Sequence, residues 1–179
     1  MKASSNPRPR RADISSPAKV DLTDVDRYRV AHLATADPRG KPLVVPVCFA
    51  CGKDCIYSVL DEKPKRVTVS RLRRVRNIIA NPQVCLLVDH YEEDWSRLAY
   101  ILIEGTAKIL YEKTERTERT ESTEGTERTE ATERAEYAEA LRLLRVKYPQ
   151  YRAMRLDGRP VIKISPQRFI PWKATPTAE

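Results

Sequence analysis

Short runs of alternating apolar and polar residues dominate the first two thirds of the chain and predict β-strands. Three such runs come first, over 30–35, 43–50 and 55–60. Proline in the turn at 37–40 presets φ, and Gly40 accepts positive φ, so this turn joins the first two strands as a hairpin. Further strands are predicted at 84–88, at 99–110 with Gly105 as a bulge, and at 161–172.

Helical spacing of apolar positions is confined to three stretches. Residues 21–28 form a short candidate with Asp21 or Thr23 as its N-cap, and residues 137–148 form a second that ends before Pro149. A third helix of about 15 residues follows the third strand and ends at Asn81. Strands dominate and do not alternate with helices. We therefore expect a mainly-β fold, an antiparallel barrel with peripheral helices.

The second strand contains Pro46, which cannot donate a backbone hydrogen bond. Within a sheet, proline is confined to edge strands, to bulges, or to backbone left free for another contact. The sequence therefore predicts that this strand lies at an edge or faces a ligand.

The third helix begins in a strongly basic stretch, with seven Lys or Arg and one acid between residues 62 and 76. At 100° per residue, its apolar side chains form one stripe that should face the core: Leu72, Val75, Ile78 and Ile79. Arg71 falls inside that stripe, Arg74 lies on its flank, and Arg66, Arg73 and Arg76 lie on the far side. Two interpretations remain open: a solvated basic face with Arg71 extending outward, or a phosphate or carboxylate pocket at the helix start.

The net charge of +8 is unevenly distributed. Residues 1–18 are rich in Pro, Ser and Arg and are predicted to be a disordered basic tail. Residues 114–134 repeat the triplet T-E-x, whose period of three gives no constant apolar face. We expect a solvated insertion, at most a marginal helix, with no chemistry of its own.

Several classes of function and location are disfavoured by composition. No run is long and apolar enough to cross a membrane or to serve as a signal peptide, so a cytoplasmic protein is expected. Cys48, Cys51 and Cys55 have a spacing that matches no common metal motif, and we predict no metal site. Trp and Phe are absent from residues 61–90, so the basic stretch lacks the stacking platform of a single-strand nucleic-acid binder.

Four segments in order resemble the pyridoxamine 5′-phosphate oxidase-like superfamily of split-barrel flavoproteins. They are VAHLATADPRGKPLVVPVCFA, CIYSVLDEKPKR, RLRRVRNIIANPQVCLLVDHYEEDW and IEGTAKIL. Within this superfamily, DEKPKR and LVDHYEEDWSRL are most similar to the coenzyme F420-dependent branch. The resemblance covers residues 20–111 and 137–173. It implies one split-barrel domain over 19–173, interrupted by the T-E-x insertion, with tails at 1–18 and 174–179.

The resemblance also implies a homodimer with two cofactor sites at the subunit interface. The cofactor ring would lie along the second and third strands, and its phosphate would meet the basic loop and helix. Carried onto this chain, the ring would contact Val45, Pro46, Val47, Ser58 and Val59. The phosphate would bind Lys63, Lys65, Arg66, Arg71 and Arg74. Trp95 and Arg97 would approach the site, either from the same chain or from the partner subunit.

The function implied is hydride transfer between bound coenzyme F420 and a small organic substrate, with the catalytic residues undetermined. The cofactor carries the redox chemistry, while the protein supplies orientation and electrostatics. Two alternatives stay open. One is an FMN-dependent oxidoreductase of the same fold, and the other is a flavin- or deazaflavin-binding protein without turnover.

Overall fold

The computed structural model describes residues 20–61, 71–112 and 124–174. Three helices are present in these ranges: α1 (Leu22–Asp26), α2 (Arg73–Ala80) and α3 (Glu124–Lys147). The seven strands are β1 (Ala31–Ala36), β2 (Pro42–Val47), β3 (Ala50–Cys51), β4 (Ile56–Val59), β5 (Gln83–His90), β6 (Ala99–Leu110) and β7 (Val161–Lys173). The predictions made for residues 1–18, 63–66 and 114–123 fall outside the described residues.

All seven strands belong to one antiparallel sheet, in the order β2-β1-β5-β6-β7-β4-β3. Only Cys48 and Phe49 separate β2 from β3 along the chain, yet these two strands occupy the opposite ends of the sheet order. The sheet must therefore curl until its ends meet at this short connection. The expected mainly-β, barrel-like architecture is confirmed.

The connection between β2 and β3 is closed by one buried tyrosine at the end of α3. Phe49 N–H donates to the Tyr148 hydroxyl at 3.0 Å, and the same hydroxyl lies 2.8 Å from the carbonyl oxygens of Phe49 and Arg29. The backbone N–H and C=O groups of Phe49, which are buried in this turn, thus have the hydrogen-bond partner that buried peptide groups require.

Two local predictions about strands are confirmed. Pro46 lies in β2, which among the described strands pairs with β1 alone and forms an edge of the sheet. Gly105 lies at a register shift between β6 and β7. A Cβ at this glycine would come within 2.3 Å of the Ser165 carbonyl oxygen, so the close backbone approach excludes any side chain.

The core has two parts, one on each side of the sheet. The inner cluster is formed mainly by the β-strands and α2, with Phe49, Leu33, Leu86 and Ile103 among its fully buried members. The second cluster lies under α3 and contains Tyr148, Tyr151 and Leu144. Strand β4 accordingly buries side chains on both faces, whereas β1 and β5 alternate buried with partly exposed positions.

Helix α3 begins at Glu124 rather than at Tyr137, so the prediction of a helix confined to 137–148 was too short. The second half of the T-E-x insertion continues directly into it. Glu136, which prolongs the glutamate period, accepts a hydrogen bond from the Tyr57 hydroxyl at 2.9 Å and forms an ion pair with Lys163. These contacts anchor α3 to β4 and β7, a role that local periodicity did not indicate.

A partly buried ion pair links α1 to the end of α3. Lys147 Nζ lies 2.8 Å from Asp26 Oδ1 and 3.8 Å from the centre of the Phe49 ring. Burial lowers the pKa of Lys147, whereas for Asp26 the hydrogen bonds from Lys147 and Cys51 outweigh burial and lower the pKa. A lowered pKa favours the charged form of Asp26 but disfavours the charged form of Lys147. For the lysine, the desolvation cost therefore exceeds the stabilisation that the ion pair provides.

This asymmetry generates a stability prediction. We expect Asp26→Asn to lower the free energy of unfolding by about 2 kcal/mol, because it leaves a buried ammonium without its counter-charge. This loss of stability should be smaller than the loss on breaking a fully buried ion pair, because the Asp26 side chain is 43% exposed. Lys147→Met should change stability by less than about 1 kcal/mol, since the remaining carboxylate reaches water.

Urea denaturation of both variants measures this difference. The lowered Asp26 pKa means that its contribution is present above the ordinary aspartate pKa and is lost as pH falls through the lowered value. The wild type should therefore lose more stability in acid than Lys147→Met does. Equal costs for the two substitutions at neutral pH would contradict the assignment.

Candidate functional site

The region predicted to hold a phosphate centres on the start of α2. The helix has Leu72 as its N-cap, and the cap position provides no side-chain hydrogen bond. Residues 62–70 lie outside the described ranges, so the predicted contacts of Lys63, Lys65 and Arg66 stay predictions. No acidic residue occupies the first turn, while Arg73 and Arg74 open the helix. The start of a helix and this positive charge are both compatible with an anion.

The predicted apolar stripe of this helix was partly wrong. Val75 and Ile78 are buried as expected, but Ile79 is 67% exposed. Asn77 is buried instead, and its side-chain amide donates to Thr35 Oγ1 at 3.0 Å. This long-range hydrogen bond fixes the helix rotation, and it has no signature in the local pattern.

Arg71 also departs from its predicted position. It precedes α2, so the 100° rule that placed it in the apolar stripe does not apply, and its side chain is exposed. Arg73, expected on the solvated face, is half-buried and lies 3.3 Å from the carbonyl oxygens of both Lys41 and Pro42. It therefore ties α2 to the β1–β2 hairpin rather than pointing freely into water.

Arg74 lies half-buried, and its Nε atom is buried without a hydrogen-bond acceptor among the residues that the structure describes. Burial lowers the pKa of this guanidinium, and the nearby Asp61 carboxylate opposes that shift. A buried guanidinium N–H without an acceptor is unusual, because the desolvation cost is recovered only when a partner is present. An anionic ligand at this position would supply the missing acceptor.

The ends of β2 and β4 meet at Tyr151. Asp61 lies two residues after β4 and is buried, and the Tyr151 hydroxyl donates to its Oδ2 at 3.1 Å. The Cys48 thiol, which directly follows β2, lies beside the same hydroxyl. Tyr151 thus joins the end of β2 to the end of β4.

The five residues predicted to flank a ring divide into exposed and buried ones. Pro46 is exposed and Val45 is half-buried, so the edge strand β2 presents accessible surface. Val47, Ser58 and Val59 are buried, and the Val59 side chain packs in the cluster under α3. Side chains of β2 can therefore contact a ligand, whereas Val59 could contact it only through backbone atoms.

Trp95 and Arg97 lie elsewhere in this chain. They form a short 3₁₀ turn between β5 and β6, and the Trp95 side chain is 71% exposed. Arg97 pairs with Glu92 at 2.9 Å, and the same carboxylate oxygen lies 3.0 Å from His90 Nε2. These contacts hold the turn at the β5–β6 end of the sheet. Participation in a site shared with a partner chain stays a prediction.

A separate cleft of about 870 Å³ lies between α1, the β3–β4 turn and the second half of β7. Its lining includes Leu22, Lys53, Asp54, Phe169 and Pro171, and it contains none of the predicted site residues. The volume is typical of small-molecule sites. The cleft adjoins the end of β4 opposite Asp61, so it is distinct from the Arg74 neighbourhood.

No cluster of potential metal ligands occurs within residues 20–61, 71–112 and 124–174. The four cysteines of the chain are free thiols, all half-buried. Burial, together with neighbouring Asp26, raises the pKa of Cys51 to about 12, which keeps it a neutral thiol. None of the helices in the described part of the chain combines the length and apolar character needed to cross a bilayer.

The family model described as pyridoxamine 5′-phosphate oxidase matches residues 23–173. No curated protein matches the sequence. A conserved hypothetical protein from Mycobacterium tuberculosis has a similar structure, with a TM-score of 0.59 and 20% identity over 93% of this chain and 90% of that one.

Two further solved structures share the architecture. A heme binding protein from Mycobacterium smegmatis gives a TM-score of 0.55 at 16% identity, over 85% of this chain and 55% of that one. A FAD-binding protein from Mesorhizobium loti gives 0.50 at 17% identity, over 82% and 85%. At such identities the likeness shows the fold alone, and it confirms the predicted split barrel.

Proposed function

The chain belongs to the pyridoxamine 5′-phosphate oxidase family, and from that membership we propose that it binds a phosphorylated flavin or deazaflavin and acts as an oxidoreductase. The observation that carries the proposal is the buried Nε of Arg74 in the first turn of α2, which has no acceptor among the described residues. A ligand phosphate offers the acceptor that this guanidinium lacks.

The residues present suit both ends of such a cofactor. Arg74, Arg71 and the basic loop residues Lys63, Lys65 and Arg66 would bind the phosphate. The exposed Pro46 and half-buried Val45 of the edge strand would support one face of the ring, since none of the described strands covers that edge. When bound, the cofactor supplies two-electron hydride transfer, and the protein supplies its position and a controlled electrostatic environment.

Coenzyme F420 is the cofactor that we favour, with FMN as the alternative. The support is the resemblance of DEKPKR and LVDHYEEDWSRL to the F420-dependent branch, together with the net charge of +8. Coenzyme F420 carries an acidic polyglutamyl tail, and a surplus of Lys and Arg would attract it. The substrate would be a small organic molecule, and the cleft beside α1 is large enough to hold one.

A shared site also requires two chains. We propose a homodimer in which Trp95 and Arg97 of one chain approach the cofactor of the other. The exposure of Trp95 supports this, because tryptophan is among the residues enriched at interfaces and rarely left in water without a partner.

One prediction of this function concerns the phosphate ligands. Lys63→Ala, Lys65→Ala and Arg66→Ala should each weaken coenzyme F420 and FMN by about 10- to 150-fold, the equivalent of one charge-assisted hydrogen bond. Riboflavin, which lacks the phosphate, should bind weakly to the wild type and lose nothing further in the variants. Isothermal titration of purified apo protein measures these affinities.

Arg76→Ala provides the matched control. Arg76 is exposed on α2. The Arg76→Ala substitution therefore removes one positive charge from the same basic stretch without removing a predicted ligand. It should change both affinities by less than about threefold, the effect of one exposed charge. If all three loop variants behave like this control, the basic loop is a solvated surface. If the wild type binds heme but neither coenzyme F420 nor FMN, the proposed function is wrong.

Another prediction concerns assembly. Sedimentation equilibrium should give a species of about twice the 20.6 kDa chain mass. Trp95→Ala should weaken cofactor binding in the dimer, since it removes a group from the partner's site. A monomer that binds cofactor with undiminished affinity would refute the shared site.

A further inference from the structure

The cleft beside α1 opens where β7 loses its neighbour on one side. Strand β4 pairs with β7 over residues 161–164 alone, whereas β6 pairs with it as far as Lys173. Beyond that point no described strand covers the second edge of β7, and α1 and the β3–β4 turn face it across about 870 Å³. Pro166 and Pro171 line the cleft from this edge and have no N–H to donate, so the edge is a poor template for an added strand.

The floor of the cleft is apolar and continues into the core. Leu22, Cys51 and Phe169 line the cleft, and all three are half-buried and pack against the inner cluster. They come from α1, β3 and β7, so the concave surface is built by three separate elements. An apolar ligand would remove the remaining exposed parts of these side chains from water, which favours binding.

One carboxylate in the wall of the cleft is held in place and keeps a free oxygen. Asp26 lines the cleft, and its Oδ1 accepts from the Cys51 backbone N–H at 2.9 Å and from Lys147 Nζ at 2.8 Å. Its Oδ2 has no hydrogen-bond partner among the described residues, and the side chain is 43% exposed. Burial raises the pKa of Asp26, but the hydrogen bonds from Lys147 and Cys51 outweigh burial and lower the pKa, so the group stays a charged acceptor.

The charges around the cleft favour a cation. Its described lining contains one lysine and three aspartates, which are Asp21, Asp26 and Asp54, in a chain whose net charge is +8. Asp21 contributes its charge alone, because its side chain caps α1. Lys147 offsets part of the Asp26 charge but is not among the described residues that line the cleft. A ligand anion would therefore be repelled, whereas a ligand ammonium could donate to Asp26 Oδ2.

We propose that the cleft beside α1 binds an organic ammonium or amidinium compound with an aromatic or alicyclic body. The positive group donates to Asp26 Oδ2, and the body covers Leu22 and Phe169. The volume is typical of sites for organic molecules of this kind. The inference does not rest on the proposed function, because none of the described lining residues belongs to the predicted cofactor site.

Three naphthalene probes of matched size test the sign of the charge: 1-naphthylmethylamine, 1-naphthylmethanol and 1-naphthoate. Chemical-shift changes in ¹H–¹⁵N spectra of the full chain report both affinity and location. The amine should bind with about the millimolar affinity of a fragment and shift the amide resonances of Leu22, Cys51 and Phe169. It should bind about 3- to 10-fold more tightly than the alcohol, the advantage of a charge-assisted hydrogen bond reduced by partial exposure, and the naphthoate should bind most weakly.

Two substitutions separate the shape of the cleft from its charge. Thr23 is exposed and lines the cleft, so Thr23→Trp fills the space from outside the core and should weaken the binding of amine and alcohol alike. Asp26→Asn should remove the preference for the amine and change alcohol binding by less than about twofold. Asp24→Asn is the matched control, because Asp24 lies on the same helix but is not among the described lining residues, and it should keep the wild-type preference.

The proposal is wrong if the amine binds no better than the alcohol, if the naphthoate binds most tightly, or if no probe binds. Shifts confined to residues outside α1, the β3–β4 turn and β7 would likewise overturn it, as would full amine affinity in Thr23→Trp. Asp26→Asn is expected to lose stability, and Thr23→Trp decides the location of the site should that variant not fold. The titrations contain no flavin or deazaflavin, so failure of the proposed function leaves their outcome unaffected.

Discussion

The hydroxyl of Tyr148 is the contact on which the rest of the structure depends. The strands at the two ends of the sheet, β2 and β3, are consecutive in the chain, so the chain must turn sharply between them. In that turn the peptide groups of Phe49 are buried away from water. The Tyr148 hydroxyl meets both of them, together with the Arg29 carbonyl. An unpaired buried peptide group is costly, so this one side chain makes the barrel closure possible. Closure then brings the end of β2 to the end of β4.

The same closure determines the electrostatics of the candidate site. Tyr151 follows Tyr148 by three residues and packs against it, so the ring that closes the barrel also supports the donor to Asp61. Lys147 and Arg74 lie in contrasting settings. Lys147 is satisfied by the Asp26 carboxylate and by the Phe49 ring, while Arg74 retains a buried N–H without an acceptor in the described residues. The lysine completes the fold, whereas the arginine keeps a donor for a ligand.

Much of the fold could be predicted because its signals are local. Pro46 indicated an edge strand, Gly105 indicated a bulge, and Asp21 indicated a helix cap, and each acts through its own backbone. The rotation of α2 could not be predicted, because it depends on the Asn77–Thr35 hydrogen bond between distant segments. Arg71 was misplaced for a related reason, since α2 starts only after it. Asp61 and Tyr151 carried no sequence signal because 90 residues separate them.

The proposed function requires Arg74 Nε to donate to a ligand phosphate, and ¹H–¹⁵N correlation spectroscopy of arginine side chains observes that atom directly. The Nε–H resonance of Arg74 is identified by its absence from the Arg74→Lys spectrum. Addition of FMN or coenzyme F420 should shift this resonance strongly, as expected for a new charge-assisted hydrogen bond, whereas riboflavin should leave it in place. A cofactor that binds tightly while the Arg74 Nε–H resonance stays unchanged would contradict the account.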